Sequence, residues 1–279
     1  MRLFGATLVI AFGAVGCRAV VDSGTTYHAC DSGHYADEFV DGTTEKNLIE
    51  RCWFFDNVQD PDDLFLEDED MIIRVGGGAA WSVDQEGPLA FRRMRKDFVI
   101  ATRIEVLNQV DSKHCLDPTD AAGIVIRSEP EWATFFISLY EPDPKPADFD
   151  CMTTDENRVP PVKATFLSRN DIWGPPIEDP GNQETGGVGF DAEADIAVCR
   201  LNGKLSAYYR GDYREVGLQE PKWTAVVTDR DIGEGPVDVG LSVQGANAEG
   251  HFQWVEFSDR VETDGCFGEL LKMKVPELE

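Results

Sequence analysis

The chain has 279 residues, with 25 Lys and Arg against 52 Asp and Glu, a formal net charge of −27. That charge argues against nucleic acid and anionic membrane surfaces as partners, because both need positive charge facing phosphate. It suits a solvated acidic surface, bound cations, or neutral ligands such as sugars. Hydrophobic residues make up 42%, enough for a packed core and against wholesale disorder.

The N-terminus reads as a leader. Arg2 precedes the apolar stretch Leu3–Val15, too short for a bilayer span of about 20 residues but right for the core of a signal peptide. It ends in Ala14-Val15-Gly16-Cys17, which resembles a bacterial lipobox. Residues 1–16 are therefore expected to be a lipoprotein signal peptide and Cys17 a lipidated mature N-terminus. The alternative is an ordinary secretory signal cleaved near Gly16 or Ala19. Arg18 follows the lipobox Cys; the absence of Asp there favours the outer membrane or cell surface. The chain carries seven Cys. Lipidation of Cys17 leaves Cys30, Cys52, Cys115, Cys151, Cys199 and Cys266 as disulfide candidates in an oxidising compartment. Favoured pairings are Cys115 with Cys151, and Cys30 or Cys52 with Cys266.

Residues 17–36 are small and polar and read as a tether. Then the pattern turns to strands. Met71–Val75 is a short apolar run closed by Gly76-Gly77-Gly78. Phe98–Val106 alternates, with Phe98, Ile100, Thr102, Ile104 and Val106 on one face and Arg103 and Glu105 on the other. Ile124 and Ile126 alternate with Val125 and Arg127. Ala133, Phe135 and Ile137 alternate with Thr134, Phe136 and Ser138. Val162–Leu167, Ala194–Leu201, Lys204–Tyr209, Val237–Val243 and Phe252–Phe257 continue the series. Period-two runs rich in β-branched and aromatic residues predict half-buried strands. Asn202-Gly203 between two such runs predicts a two-residue hairpin. Short helices are expected within Thr44–Trp53 and Glu269–Met273. Two Pro-rich loops, 141–161 and 170–189, interrupt the rhythm. The fold class is all-β, a jelly-roll β-sandwich of two antiparallel sheets.

In order, these pieces resemble the bacterial concanavalin A-like group, which includes laminin-G-like lectins and the C-terminal domain of some β-xylosidases. The resemblance rests on Asp37-Glu38-Phe39, Trp53, Ala80-Trp81, Arg92-Arg93 and Lys96–Ile104. It continues through Ala122-Gly123-Ile124-Val125-Ile126-Arg127, the Arg200–Tyr209 hairpin, Trp223, Val239–Val243 and Phe252–Phe257. It covers residues 37–260, leaving 261–279 as a C-terminal extension, and it implies a concanavalin A-like sandwich. The group holds lectins, accessory domains and glycosidases, so function must come from the site.

Catalytic members of the superfamily carry Glu-x-Asp-x-(x)-Glu on one strand, with paired carboxylates as nucleophile and general acid. Here Glu193-Ala194-Asp195 lacks the third acid, and Asp195 is expected to be an exposed residue at a strand start. No Gly-x-Ser-x-Gly elbow and no His-x-x-x-His spacing occurs among the four His. No catalytic residue, cofactor or metal is expected, with calcium as a minority option at Asp60, Asp62, Asp63, Asp117 and Asp120. Sugars stack their C–H faces on aromatic rings and need fixed polar partners. The candidate ligand-binding residues are therefore Trp81, Arg127, Trp132, Tyr140, Trp173 and Tyr209, on strand ends or loops. Arg103 shares the outward position of Arg127, and Trp53 and Trp254 read as structural. The expected role is non-catalytic carbohydrate binding by a surface lipoprotein. The alternatives are a structural or protein-interaction module of the cell envelope, or a diverged glycoside hydrolase. The partner is a glycan or an envelope protein, with the membrane met through the lipid anchor alone.

Overall fold

Alternation along the strands separates an inner from an outer layer. In β6 (Phe98–Asn108), Phe98, Ile100, Ile104 and Val106 enter one core, and Val99 and Ala101 a second cluster behind it. The computed structural model describes residues 35–37, 39, 48–49, 51–58, 63–75, 81, 87–109, 119–128, 130–139, 162–169, 177–179, 192–211, 223–259, 261, 265–271 and 273. The remaining strands are β1 (Tyr35–Asp37), β2 (Phe54–Asp56), β3 (Leu64–Glu67), β4 (Asp70–Arg74), β5 (Leu89–Met94), β7 (Ala121–Ser128) and β8 (Glu131–Leu139). They continue with β9 (Val162–Ser168), β10 (Ile177–Asp179), β11 (Ala192–Leu201), β12 (Lys204–Gly211), β13 (Thr224–Asp231), β14 (Val237–Gln244) and β15 (Ala248–Ser258). A six-residue helix, α1 (Gly265–Leu270), follows.

The strands form two antiparallel sheets, as expected of a concanavalin A-like sandwich. The first runs β13-β12-β11-β6-β15-β4-β3, with β1 also on β15; the second runs β10-β9-β8-β7-β14-β5-β2. The main core lies between them, built from Phe98, Ile196 and Val198 on one side and Ile124, Phe135 and Leu241 on the other. A bulge between Phe252 and Trp254 matters for the layers. The extra residue flips the alternation. Phe252, Val255 and Phe257 stay in the main core, while Trp254 joins the cluster on the outer face of the first sheet.

Local chemistry explains the turns and ends. Asn202 and Gly203 take φ of 52° and 70°, the left-handed values of the expected hairpin. Buried Arg200 clamps that region, donating to the carbonyls of Gly235 and Lys96. Asp37 is buried and ties down the first strand. Its Oδ1 accepts from the Phe39 amide and from Arg51, and its Oδ2 accepts from the Trp53 indole. This accounts for the Asp-x-Phe and Trp53 pieces of the motif as structural.

The acidic patch 60–70 holds a second hairpin that residue type conceals. Glu67 pairs with Asp70, and the turn between them is Asp68-Glu69, with φ of 51° and 68°. Neither is glycine, and left-handed geometry is unfavourable for a side chain with a Cβ. Glu69→Gly is therefore expected to raise stability by about 1 kcal/mol. A lower urea midpoint for that variant would contradict the turn.

The end of the chain differs from expectation in two respects. The helix is at Gly265–Leu270 rather than Glu269–Met273. Cys266 bonds Cys199 on β11, not Cys30 or Cys52. Cys52 is also disulfide-bonded. Cys17, Cys30, Cys115 and Cys151 lie outside the described residues.

Candidate functional site on the outer face of the second sheet

The two outer faces differ in kind. On the first sheet, α1 and the residues around it lie over the face. Val261, Leu270 and Met273 pack on Val99, Ala101, Ala197, Tyr208 and Trp254. Next to this cover runs a buried charged row. Asp195 stands directly opposite Arg210 on β12 and Arg103 on β6. Arg103 donates to both Asp195 oxygens at 2.8 and 3.3 Å, and Arg210 Nε to Oδ2 at 2.6 Å. Asp195 is 1% exposed, which corrects its expected place as an exposed residue at a strand start. Its position in mid-strand, between two strands that each offer an arginine, is what buries it.

Farther along the same face, His251 of β15 sits between acids. Its ring nitrogens lie 3.2 Å from Asp70 and 2.7 Å from Glu249, and Arg74 also donates to Glu249. Burial disfavours the imidazolium, but the two carboxylates outweigh it and raise the His251 pKa from 6.5 to about 9. Glu249 shifts the other way: burial is opposed by His251 and Arg74, which together hold its pKa below the usual value. A group whose folded pKa is raised stabilises fully below its unfolded pKa and loses that contribution as pH climbs through the folded value. Stability is thus expected to fall by about 2 kcal/mol between pH 6.5 and 9.5, a discounted conversion of the shift. His251→Gln should remove most of this slope in thermal melts across that range. An equally steep slope in the variant would assign it to other groups.

The second sheet turns a different face outward. Its register sets three rows across the central strands. The first is Arg93-Asp238-Arg127-Trp132, the second Phe91-Gly240-Val125-Thr134, the third Leu89-Ser242-Gly123-Phe136. The floor is apolar: Trp81, Leu89, Ala121, Val125, Trp132 and Phe136 form one cluster, with Phe91 and Leu167 packed against it. Trp81 meets Trp132 edge-on, ring centroids 5.3 Å apart, and its indole N–H donates to Ser242 Oγ at 2.7 Å.

Above one end of this floor runs a string of alternating charge. Arg93 donates to both oxygens of Asp238 at 2.7 and 3.0 Å. Arg127 donates to Asp238 at 3.2 Å and to Asp56 at 2.8 Å. Arg127 reaches β2 by lying over the Phe91 ring, 5.1 Å from its centroid. Gly240, beside Phe91 in its row, puts no side chain in the way. A Cβ there would stand 2.0 Å from the Ala90 carbonyl oxygen. The Asp56 carboxylate is held from both sides, since its Oδ1 accepts from the Asn57 amide at 3.0 Å.

Exposure is graded along the string. The inner pair is shielded, with side chains 3% exposed for Arg127 and 4% for Asp238. The ends are open, at 41% for Arg93 and 39% for Asp56. Half-buried Phe54 and Phe91 lie between those ends, their ring centroids 5.6 Å apart. One oriented acceptor, one oriented donor and two aromatic rings on a rigid sheet are the elements of a polyol-binding surface.

The structure sorts the expected ligand residues by burial. Trp81 and Trp132 are 4% and 2% exposed, and they are the floor rather than open platforms. Arg127 is buried and positions Asp56. Tyr209 is in the main core, because its strand directs it between the sheets. Tyr140 and Trp173 lie outside the described residues. Arg103 belongs to the buried row on the other sheet, and Trp53 and Trp254 are buried. Of the calcium candidates, Asp120 is buried and accepts from the amides of Ala246 and Asn247. Asp63 is 8% exposed, and Asp60, Asp62 and Asp117 lie outside the described residues. Among the described residues no group of three His, Cys, Asp or Glu is placed to hold a metal ion.

Asp56, Phe54, Phe91, Arg93 and Asp238 carried little signal in the sequence. β2 is three residues long, too short for alternation to register. Arg93 alternates with Leu89 and Phe91, a period-two pattern that could have marked it as outward.

No family model and no curated protein matches the chain. Solved structures do. The Xyloglucan PUL GH43B of Bacteroides ovatus aligns with a TM-score of 0.50 and 13% identity, over 80% of this chain and 38% of that one. A mutant of the GH43 protein BlXynB from Bacillus licheniformis gives 0.50 and 14%, over 80% of this chain and 39% of that one. A functionally unknown protein from Saccharomyces cerevisiae gives 0.45 and 13%, over 75% of this chain and 94% of that one. The chain spans about two fifths of the two GH43 proteins. At these identities the likeness is one of fold, the two-sheet sandwich that the motifs imply.

Proposed function

We propose that this chain is a carbohydrate-binding sandwich that holds a glycan on the outer face of its second sheet and does no chemistry on it. The observation that supports this most is the graded string Arg93-Asp238-Arg127-Asp56 beside Phe54 and Phe91. It presents oriented polar groups and rings to solvent on a rigid base. Glycoside hydrolysis calls for two carboxylates facing each other across a gap of about 5–10 Å. Here Asp56 and Asp238 both turn to one guanidinium, which favours holding over cleaving. Location in the cell envelope as a lipid-anchored protein, through Cys17, belongs to the same proposal; Cys17→Ser should move the protein out of the membrane fraction.

The test is a broad glycan array on the full chain, produced in an oxidising compartment. Saturable binding to one glycan class, lost in Phe54→Ala with an unchanged melting temperature, is the expected result. No binding to any glycan by folded, disulfide-bonded protein would overturn the proposal. A second reading, an envelope protein-interaction module, draws on α1. Phe267 and Leu271 lie one helical turn apart and are 47% and 64% exposed. A partner captured by the wild type and lost on Phe267→Ser would favour that reading.

A further inference from the structure

Charge balance on this face narrows the ligand class, an inference that rests on the glycan-binding reading above. From the geometry we infer that the site selects neutral, hydroxyl-rich sugars and discriminates against uronates and sulfated glycans, and that Asp56 is the residue that sets this preference. An anionic sugar needs guanidinium charge that is not already opposed. Here each arginine of the string faces a carboxylate: Arg93 faces Asp238, and Arg127 faces Asp238 and Asp56. The four side chains sum to no net charge, within a chain of net charge −27.

The two open ends are of opposite kind. Asp56 can only accept, and Arg93 can only donate. A sugar hydroxyl does both, so a pair of hydroxyls matches an acceptor and a donor without importing charge. A carboxylate or sulfate would meet Asp56 directly and be repelled by it. Displacing Asp56 from Arg127 would not help an anion, since the carboxylate is held by the Asn57 amide as well and would remain beside it. Removing the Asp56 carboxylate changes both conditions together. It takes away the acceptor that a hydroxyl uses, and it removes one of the carboxylates that oppose Arg127.

The experiment is calorimetric titration of the full disulfide-bonded chain with neutral xylo-, gluco- and manno-oligosaccharides and with oligogalacturonate and sulfated oligosaccharides. Each is run at 50 and 300 mM NaCl, on the wild type, Asp56→Ala and Asp56→Asn, with circular dichroism to confirm folding. The expected wild-type result is binding to a neutral class, with Kd changing less than twofold between the two salts. Oligogalacturonate should bind at least tenfold more weakly. Asp56→Ala should lose at least tenfold for the neutral sugar and gain at least tenfold for oligogalacturonate, with the gain suppressed by salt. Asp56→Asn keeps an acceptor of the same shape and should show the same reversal in smaller measure, which covers the case in which Asp56→Ala does not fold. Wild-type preference for an acidic glycan would overturn the selectivity while leaving glycan binding in place. Neutral binding unchanged in both variants would remove Asp56 from the site and overturn the inference. Absence of binding to every sugar would bring down both this inference and the reading beneath it.

Discussion

Asp195→Ala is expected to destabilise the protein by about 3–5 kcal/mol, the usual effect of removing one partner from a buried ion pair. Arg103 and Arg210 flank Asp195 on the two neighbouring strands, with side chains 3% and 10% exposed. Without the carboxylate, two guanidinium groups are left on one row of the first sheet. Arg210 lies over the Trp223 ring, 4.5 Å from its centroid, so its path to water is restricted. The loss comes from buried positive charge that has lost a carboxylate rather than from the intrinsic strength of the bonds, and this gives a second check. Replacing the trio together by apolar residues of similar size, Arg103→Met, Asp195→Leu and Arg210→Met, should recover most of the stability. Chemical denaturation of the single and triple variants measures both effects. A single-variant loss under about 1 kcal/mol would mean that water reaches the row.

Removing the disulfide should have the next largest effect. Cys199 and Cys266 are 67 residues apart, and closing a loop of that length restrains the unfolded chain by about 4 kcal/mol in the entropic account. The double variant Cys199→Ser, Cys266→Ser is expected to lose about 2–4 kcal/mol. The helix would then be held by Val261, Leu270 and Met273 on the apolar outer face, and by the bond from Ser258 Oγ to Glu269 at 2.6 Å. α1 has only six residues, too few to be stable without its tertiary contacts. Proteolysis should therefore begin after the last strand, and dye binding should rise as Trp254, Tyr208 and Ala101 meet water. An unchanged denaturation midpoint, with no new cleavage there, would show that packing alone holds the segment.

The legible parts of the fold were those written in local pattern. Phe98–Val106 alternates over enough residues to identify a half-buried strand, and its inward residues are the ones in the core. Asn202-Gly203 marks its hairpin because those residue types tolerate left-handed geometry. Asp68-Glu69 makes a turn of the same kind without those types, held by the pairing of β3 with β4, so residue identity gave no warning. The helix at 265–270 escaped the same way, since its position is decided by the disulfide and by the face it covers.

The order of amino acids was enough for the two-sheet architecture, because alternation and turn chemistry act between near neighbours. It also placed Arg103 and Arg127 on the outward side of their strands. What those side chains do there was set by packing between strands far apart in the chain. Arg127 meets Asp56 across β14 and β5, and Arg103 meets Asp195, 92 residues away in the chain. Trp81 and Trp132 look like binding platforms in sequence, yet packing against each other makes them the floor. The exposed ends of the string, Asp56 and Arg93, are distinguished by solvent exposure, and exposure is a property of the whole assembly of strands that no local pattern records.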